Sequence, residues 1–337
     1  MIDSAFHGGN IRQAANQFGI ADDEWLDLST GINPTSYPLP AVPQTVWQKL
    51  PYDDELLLTK ARRYYCTDHL VAVTGSQQAI ELLPRVLSAS NGQLKVAVIS
   101  PSYAEHALQW QRAGHNVTCV DAAGAEAEML LWDVVVVVRP SNPTTEVIDR
   151  RRLDEWHAEL RRRGGWLIVD EAFVDAELDY EQLTCITPVM PQGLIILRSI
   201  GKFFGLAGIR LGFVIANEFC VNLLKKECGL WGVSGLAQWA GQQCLTDSSW
   251  QRDMRTNLNK QSHRLSQLLD QYHMSHSRSP LFCYIPTDKA ELIYRSLARR
   301  GILIRLFKHP PALRIGLPHK EQSWRRLGAA LHDISSL

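Results

Sequence analysis

Residues 199–212 carry the densest chemistry of the chain: Ser199-Ile200-Gly201-Lys202-Phe203-Phe204-Gly205-Leu206-Ala207-Gly208-Ile209-Arg210-Leu211-Gly212. Lys202 stands among Gly201, Gly205 and Gly208. Before it lies the apolar run Leu194–Leu197, which reads as a buried strand, and after it a short strand from Arg210 to Ala216. Glycine lets backbone pass close to a ligand or adopt positive φ. A lysine in a partly apolar turn loses hydration, which favours its neutral amine. A neutral amine attacks a carbonyl carbon and forms a Schiff base. Ser199 and Arg210 add a hydroxyl and a planar cation, both suited to phosphate. An isolated loop lysine reads as a solvated surface group. The Ser-x-x-Lys-x-x-Gly-x-x-Gly-x-Arg-x-Gly spacing argues for a site instead.

Other stretches add groups to that site. The strand Trp166–Val169 ends in Asp170-Glu171-Ala172-Phe173. A carboxylate at the C-terminal edge of a parallel sheet lies where ligands bind, and if buried it needs a cationic or hydrogen-bonding partner. From this stretch alone, an N-cap for the next segment reads equally well. Gly75-Ser76-Gln77 opens a helix after Leu70–Val73, with free N–H groups and the positive dipole end towards any phosphate. Asn142-Pro143-Thr144 is a turn after Val134–Val138. Arg314, in Leu313-Arg314-Ile315-Gly316, sits on a short strand, and an inward arginine needs an anion. Arg305 is a second anion-binding candidate, and a structural ion pair is the alternative for both. His273-x-x-His276, the best local metal pair, reads as a polar loop, so no metal is expected.

The elements that must position these residues are those of an α/β protein. Strands are expected at Leu70–Val73, Val96–Ile99, Val117–Val120, Val134–Val138, Trp166–Val169, Leu194–Leu197 and Leu211–Ile215, with helices such as Tyr103–Ala113 and Arg151–Arg163 between them. Valine-rich strands without alternation are buried on both faces, which argues a mainly parallel sheet between helical layers. Pro34, Pro38, Pro40, Pro43 and Pro51 mark an extended arm with one short helix near Gln44–Leu50. The last part reads as helix Ser249–Tyr272, then strand Phe282–Ile285, helix Lys289–Arg300, strands Gly301–Leu306 and Ala312–Ile315, and helix Lys320–Ile334. The domains expected are an N-terminal arm over 1–50, a large domain over 51–247 and a small α+β domain over 248–337 that the arm joins.

Composition narrows the function class. With 337 residues the chain can bury a large core, and its 35 basic residues balance 35 acidic ones. No nucleic acid or anionic membrane is expected as a partner, and no apolar run spans a bilayer. The N-terminal residues include Asp3 and no apolar stretch, so no signal peptide is expected. Seven scattered cysteines without a C-x-x-C pair suit reduced thiols in the cytoplasm.

The lysine segment, Asp170 lying 32 residues before Lys202, and the Asn142 turn resemble fold-type-I pyridoxal-phosphate (PLP) enzymes of the aminotransferase class I/II superfamily. The resemblance runs from His7 to the last helix. It implies a mainly parallel seven-stranded sheet flanked by helices, PLP bound through Lys202, and Asp170 paired with the pyridine nitrogen as an electron sink. It implies that Gly75, Ser76, Gln77, Ser199 and Arg210 hold the cofactor phosphate. Asn142 would donate to the phenolic oxygen, and Tyr103 would stack on the ring, although Tyr103 also reads as plain helix packing. Tyr52 would reach a partner's cofactor in a homodimer with shared sites, and Arg314 would take the substrate carboxylate. Two positions depart from the pattern: Phe173 stands where many members have tyrosine, and Thr145 where they have glycine. The openings His7-Gly8-Gly9-Asn10 and Ile32-Asn33-Pro34 resemble a narrower branch, decarboxylases of cobalamin biosynthesis that act on a phosphorylated amino acid. On that reading His7, Asn33 and Arg305 are the candidates for the substrate phosphate. Histidinol-phosphate aminotransferases share the lysine segment and Ile302-Leu303-Ile304-Arg305 and are the alternative. A catalytically silent binding protein on the same fold is a third reading. The retained lysine and aspartate, and the lack of a DNA-binding segment ahead of His7, argue against it.

Overall fold

Val134 to Val138 form a strand with every residue buried. Val134 and Val136 join one apolar layer, Val135 and Val137 the other, so the strand is covered on both faces. The computed structural model describes residues 8–52, 55–88 and 92–334. Within them the strands, in chain order, are β1 Leu26–Asp27, β2 Leu70–Val73, β3 Lys95–Ile99, β4 Asn116–Val120, β5 Val134–Val138, β6 Trp166–Asp170, β7 Leu194–Ser199, β8 Gly212–Ile215, β9 Ser277–Arg278, β10 Phe282–Pro286, β11 Ile302–Leu303, β12 Arg305–Lys308 and β13 Pro311–Gly316.

β2 to β8 make the expected seven-stranded sheet, in the order β2-β8-β7-β6-β5-β3-β4. It is parallel except at β8, which runs antiparallel to both β2 and β7. One layer contains helices Gly75–Ser88, Glu105–Arg112 and Glu218–Cys228, through residues such as Ile80, Trp110 and Leu224. The other contains Glu55–Tyr65, Arg150–Arg162 and the long helix Ser248–Asp270, through Leu57, Trp156 and Leu265.

Register brings the chemistry to one edge. Val73 opposes Gly212, Gly212 opposes Ser199, Leu197 opposes Asp170, and Asp170 opposes Val138. The Gly75 turn, the lysine segment, Asp170 and the Asn142 turn therefore share the rim where the parallel strands end.

The C-terminal part forms a second sheet, β12-β13-β10-β9. The single strand expected over Gly301–Leu306 is in fact two. β11 pairs in parallel with β1 from the N-terminal segment, and β12 pairs with β13. The chain changes partner at Ile304, whose buried side chain fills the junction.

Candidate active site

Asp170 ends β6 and is 4% exposed. Its Oδ1 accepts the Ala172 N–H at 3.0 Å, and its Oδ2 lies 2.9 Å from Nε2 of His106, which is also buried. His106 was not among the residues picked out of the sequence. Its signal was the spacing Tyr103-x-x-His106, which places both on one side of a helical turn. The Tyr103 ring meets the His106 ring edge-on at 6.2 Å, and its hydroxyl donates to Gln77 Oε1 at 3.2 Å. Burial, then Glu105 and Asp170, push the Tyr103 phenol up to about 12.

Directly behind the rim, Glu171 and Arg198 lock β6 to β7. Arg198 bridges Glu171 and Asp175 at 2.9 Å each, and all three side chains are buried. Removing one partner of such a cluster would leave a charge uncompensated, so the neighbours Asp170 and Ser199 are held on a stiff frame.

Lys202 lies in the short helix Ile200–Phe203 that β7 feeds. Burial lowers its ammonium from 10.5 to about 8. The positive charges of Arg314 and Arg210 act the same way, and Asp170 opposes them. The lysine segment is tied to the N-terminal one: Asn33 N–H donates to Lys202 O at 3.0 Å, and Asn33 Nδ2 donates to Phe203 O at 2.8 Å. Asn33 Oδ1 in turn accepts the Thr35 N–H. His7 lies outside the described residues.

The Gly75 turn is built for close approach. Gly75 has φ +71°, and a Cβ there would stand 2.7 Å from Arg210 Nη2; a Cβ on Gly212 would stand 2.6 Å from the Ser76 nitrogen. Arg210 itself is in the left-handed region at φ +56°, which turns its guanidinium onto the helix N-terminus. Gln77 adds its backbone to that terminus while its side chain bonds Glu81 and Glu105.

Arg314, on β13, is buried. It donates to Asn142 Oδ1 through Nη1, and to the Ser29 carbonyl at 2.7 Å through Nη2. Its Nε has no partner, and no carboxylate pairs with it among the described residues. Arg305 lies directly opposite on β12. Burial, and then Arg305, lower Arg314 to about 9, against Asp27. The Asn142 turn keeps its asparagine facing this arginine. Thr145, in place of glycine, takes φ +66°, the conformation that glycine supplies without cost.

Phe173 is buried, with its ring centroid 5.6 Å from Lys202 Nζ. Tyr52 lies apart from these groups, 70% exposed, on the lip of an open cavity of about 530 Å³ that Trp231 and Lys225 also line. No described helix is long and apolar enough to cross a membrane.

A family model described as aminotransferase class I and II matches residues 45–334. The chain belongs to that family. It is 43% identical over 326 residues to a threonine-phosphate decarboxylase of Pseudomonas aeruginosa, covering 96% of each chain. A threonine-phosphate decarboxylase of Sinorhizobium is 37% identical, with 96% of this chain and 97% of the relative covered. The fold matches a histidinol-phosphate aminotransferase of Sinorhizobium meliloti, solved with pyridoxal-5′-phosphate, at a TM-score of 0.80. The identity there is 18%, and the match covers 99% of this chain and 96% of that one.

The cofactor of this class I and II member is PLP, and the residues fit it. A half-buried amine with a depressed pKa faces a buried carboxylate that still has lone pairs free for a pyridinium. A glycine-lined helix start beside a guanidinium offers a phosphate cradle that a Cβ would fill.

Proposed function

We propose that this chain decarboxylates L-threonine O-3-phosphate to (R)-1-aminopropan-2-ol O-phosphate and CO₂, as a carboxy-lyase of cobalamin biosynthesis. The similarity to the P. aeruginosa enzyme over almost the whole chain supports the reaction. The observation that carries the substrate class is Arg314, buried and with no carboxylate paired to it among the described residues. A buried guanidinium in that state calls for an anionic ligand.

When bound, PLP supplies an electron-withdrawing ring that weakens the bonds at the amine-bearing carbon. Lys202, neutral above about pH 8, attaches the cofactor and later delivers a proton to Cα. Asp170, backed by His106, holds the proton on the ring nitrogen. Gly75, Ser76, Gln77, Ser199 and Arg210 would hold the cofactor phosphate, Tyr103 would pack on the ring, and Asn142 would donate to its phenolic oxygen. Arg314 binds the substrate carboxylate. His7 and Arg305 take the substrate phosphate, and Asn33 supports them by pinning the Lys202 segment to the N-terminal one.

The working form is a cytoplasmic homodimer in which Tyr52 reaches the partner's cofactor phosphate. Its exposure, with Trp47, Leu50, Leu56 and Leu230 also exposed, supports a covered face in the dimer. Seven free thiols suit a reducing compartment. The test supplies threonine O-phosphate with no keto acid present. Release of CO₂ with aminopropanol phosphate is expected. No CO₂, with rapid amino transfer from histidinol phosphate to 2-oxoglutarate, would sink the proposal.

A further inference from the structure

Gln77 meets two carboxylates with one amide. Its Nε2 donates to Glu81 Oε1 and to Glu105 Oε2, at 3.0 Å each. Carboxylate oxygens accept, so both amide hydrogens are engaged and Oε1 is turned the other way. There it accepts the Tyr103 hydroxyl at 3.2 Å. Held up at about 12 by burial, that phenol keeps its proton and donates. Glu105 is buried, and Gln109 Nε2, one turn on in helix Glu105–Arg112, steadies it at 2.9 Å. The backbone of Gln77 belongs to the N-terminus of helix Gly75–Ser88, beside the Arg210 guanidinium. The clamp therefore ties two helix starts together. One offers its N–H groups to a phosphate, and the other carries Tyr103, Glu105 and His106, the partner of Asp170.

We propose that the Gln77 side chain and Glu105 are positioning residues for the PLP ring: Glu105 aims the Gln77 amide, and the amide holds Tyr103 where its ring covers the cofactor. The inference rests on the reading that Tyr103 packs on the ring and the Gln77 backbone meets the phosphate. It adds that a single residue gauges both ends of the cofactor. The backbone N–H of Gln77 marks the phosphate end, and its side chain fixes the aromatic at the ring end. A Tyr103 ring released from the amide would have to be ordered as the cofactor binds, which costs affinity. The clamp orders it beforehand. A plain tie between two helices would not need to set which end of the amide faces Tyr103. Here the carboxylates of Glu81 and Glu105 set it.

The experiment titrates the apoproteins of wild type, Gln77→Met, Tyr103→Phe, Glu105→Ala and the Gln77→Met/Tyr103→Phe double variant with PLP and, separately, with inorganic phosphate. Visible circular dichroism of the bound cofactor is read at saturation. Gln77→Met keeps the backbone N–H and the side-chain length but ends the clamp. It should weaken PLP about two- to tenfold relative to inorganic phosphate, the effect of ordering one side chain on binding. Tyr103→Phe should give the same loss, and the double variant no more than either, because both cut one bond. Glu105→Ala should lose affinity in the same direction but by less, since Glu81 remains. The cofactor dichroism should fall in all four variants. If Gln77→Met does not fold, Tyr103→Phe and Glu105→Ala carry the test. Tyr103→Ala checks the parent reading, and should lose more than Tyr103→Phe. Wild-type PLP affinity in the clamp variants, beside a weakened Tyr103→Ala, would overturn this proposal alone, as would losses that add in the double variant. Wild-type affinity in Tyr103→Ala would overturn the parent reading and this proposal with it.

Discussion

Replacing Lys202 by methionine should stabilise the cofactor-free protein. The fold holds this ammonium against its own solvation: burial, Arg314 and Arg210 lower it from 10.5 to about 8, with Asp170 only partly compensating. At about 1.4 kcal/mol per pH unit, that gap is worth about 3 kcal/mol of native-state destabilisation at pH 7. Methionine has a similar length and no charge, so it fills the space without the penalty. The sign of the pH dependence follows from proton counts. Below about pH 8 both folded and unfolded chains carry the proton, and the penalty is constant. Between about 8 and 10.5 the unfolded chain still holds it while the folded chain has released it, so wild-type stability rises with pH. Urea unfolding of apo wild type and Lys202→Met, from pH 7 to pH 10, measures the difference. The variant should lead by about 2–3 kcal/mol at pH 7, and the lead should shrink towards pH 10. A variant less stable than wild type at pH 7, or a difference flat across the range, would refute the reasoning.

Gly75→Ala places a methyl 2.7 Å from the Arg210 guanidinium at φ +71°, so PLP binding by the apoprotein should fall more than tenfold in a titration. His106→Phe removes the hydrogen-bond partner of buried Asp170, and should cost the apoprotein about 1–3 kcal/mol in denaturant unfolding. Thr145→Gly relieves a β-branched residue at φ +66°, worth about 1–2 kcal/mol. After the greater unfolded-state freedom of glycine, the net gain in urea should be about 0.5–1 kcal/mol.

Much of this site was legible because its signals are local. The five valines of β5 announce a strand buried on both faces, and the spacing around Lys202 announces a glycine-lined turn. What stayed hidden depends on partners far along the chain. Nothing in Gly212–Ile215 states that β8 runs against its neighbours. The run after Gly301 has continuous strand character, yet β11 answers to Leu26 and Asp27 while β12 answers to β13. Helix Glu218–Cys228 carries a cap, Asn217 accepting from the Cys220 N–H, but its buried face is only Cys220, Val221 and Leu224, a weak periodic signal. His106 meets Asp170 across 64 positions, and Phe282 meets Phe173 across more than a hundred; only the folded register joins them.

The most direct measurement asks which bond at Cα breaks. Threonine O-phosphate carrying deuterium at Cα is turned over in ordinary water, and the aminopropanol phosphate is analysed by mass spectrometry. Cleavage of the carboxylate bond leaves the Cα label in place and adds one solvent proton, so the product should retain the deuterium completely. Recovered substrate whose label has exchanged with solvent, with no aminopropanol phosphate formed, would mean that the Cα–H bond is the one broken, and would contradict the account.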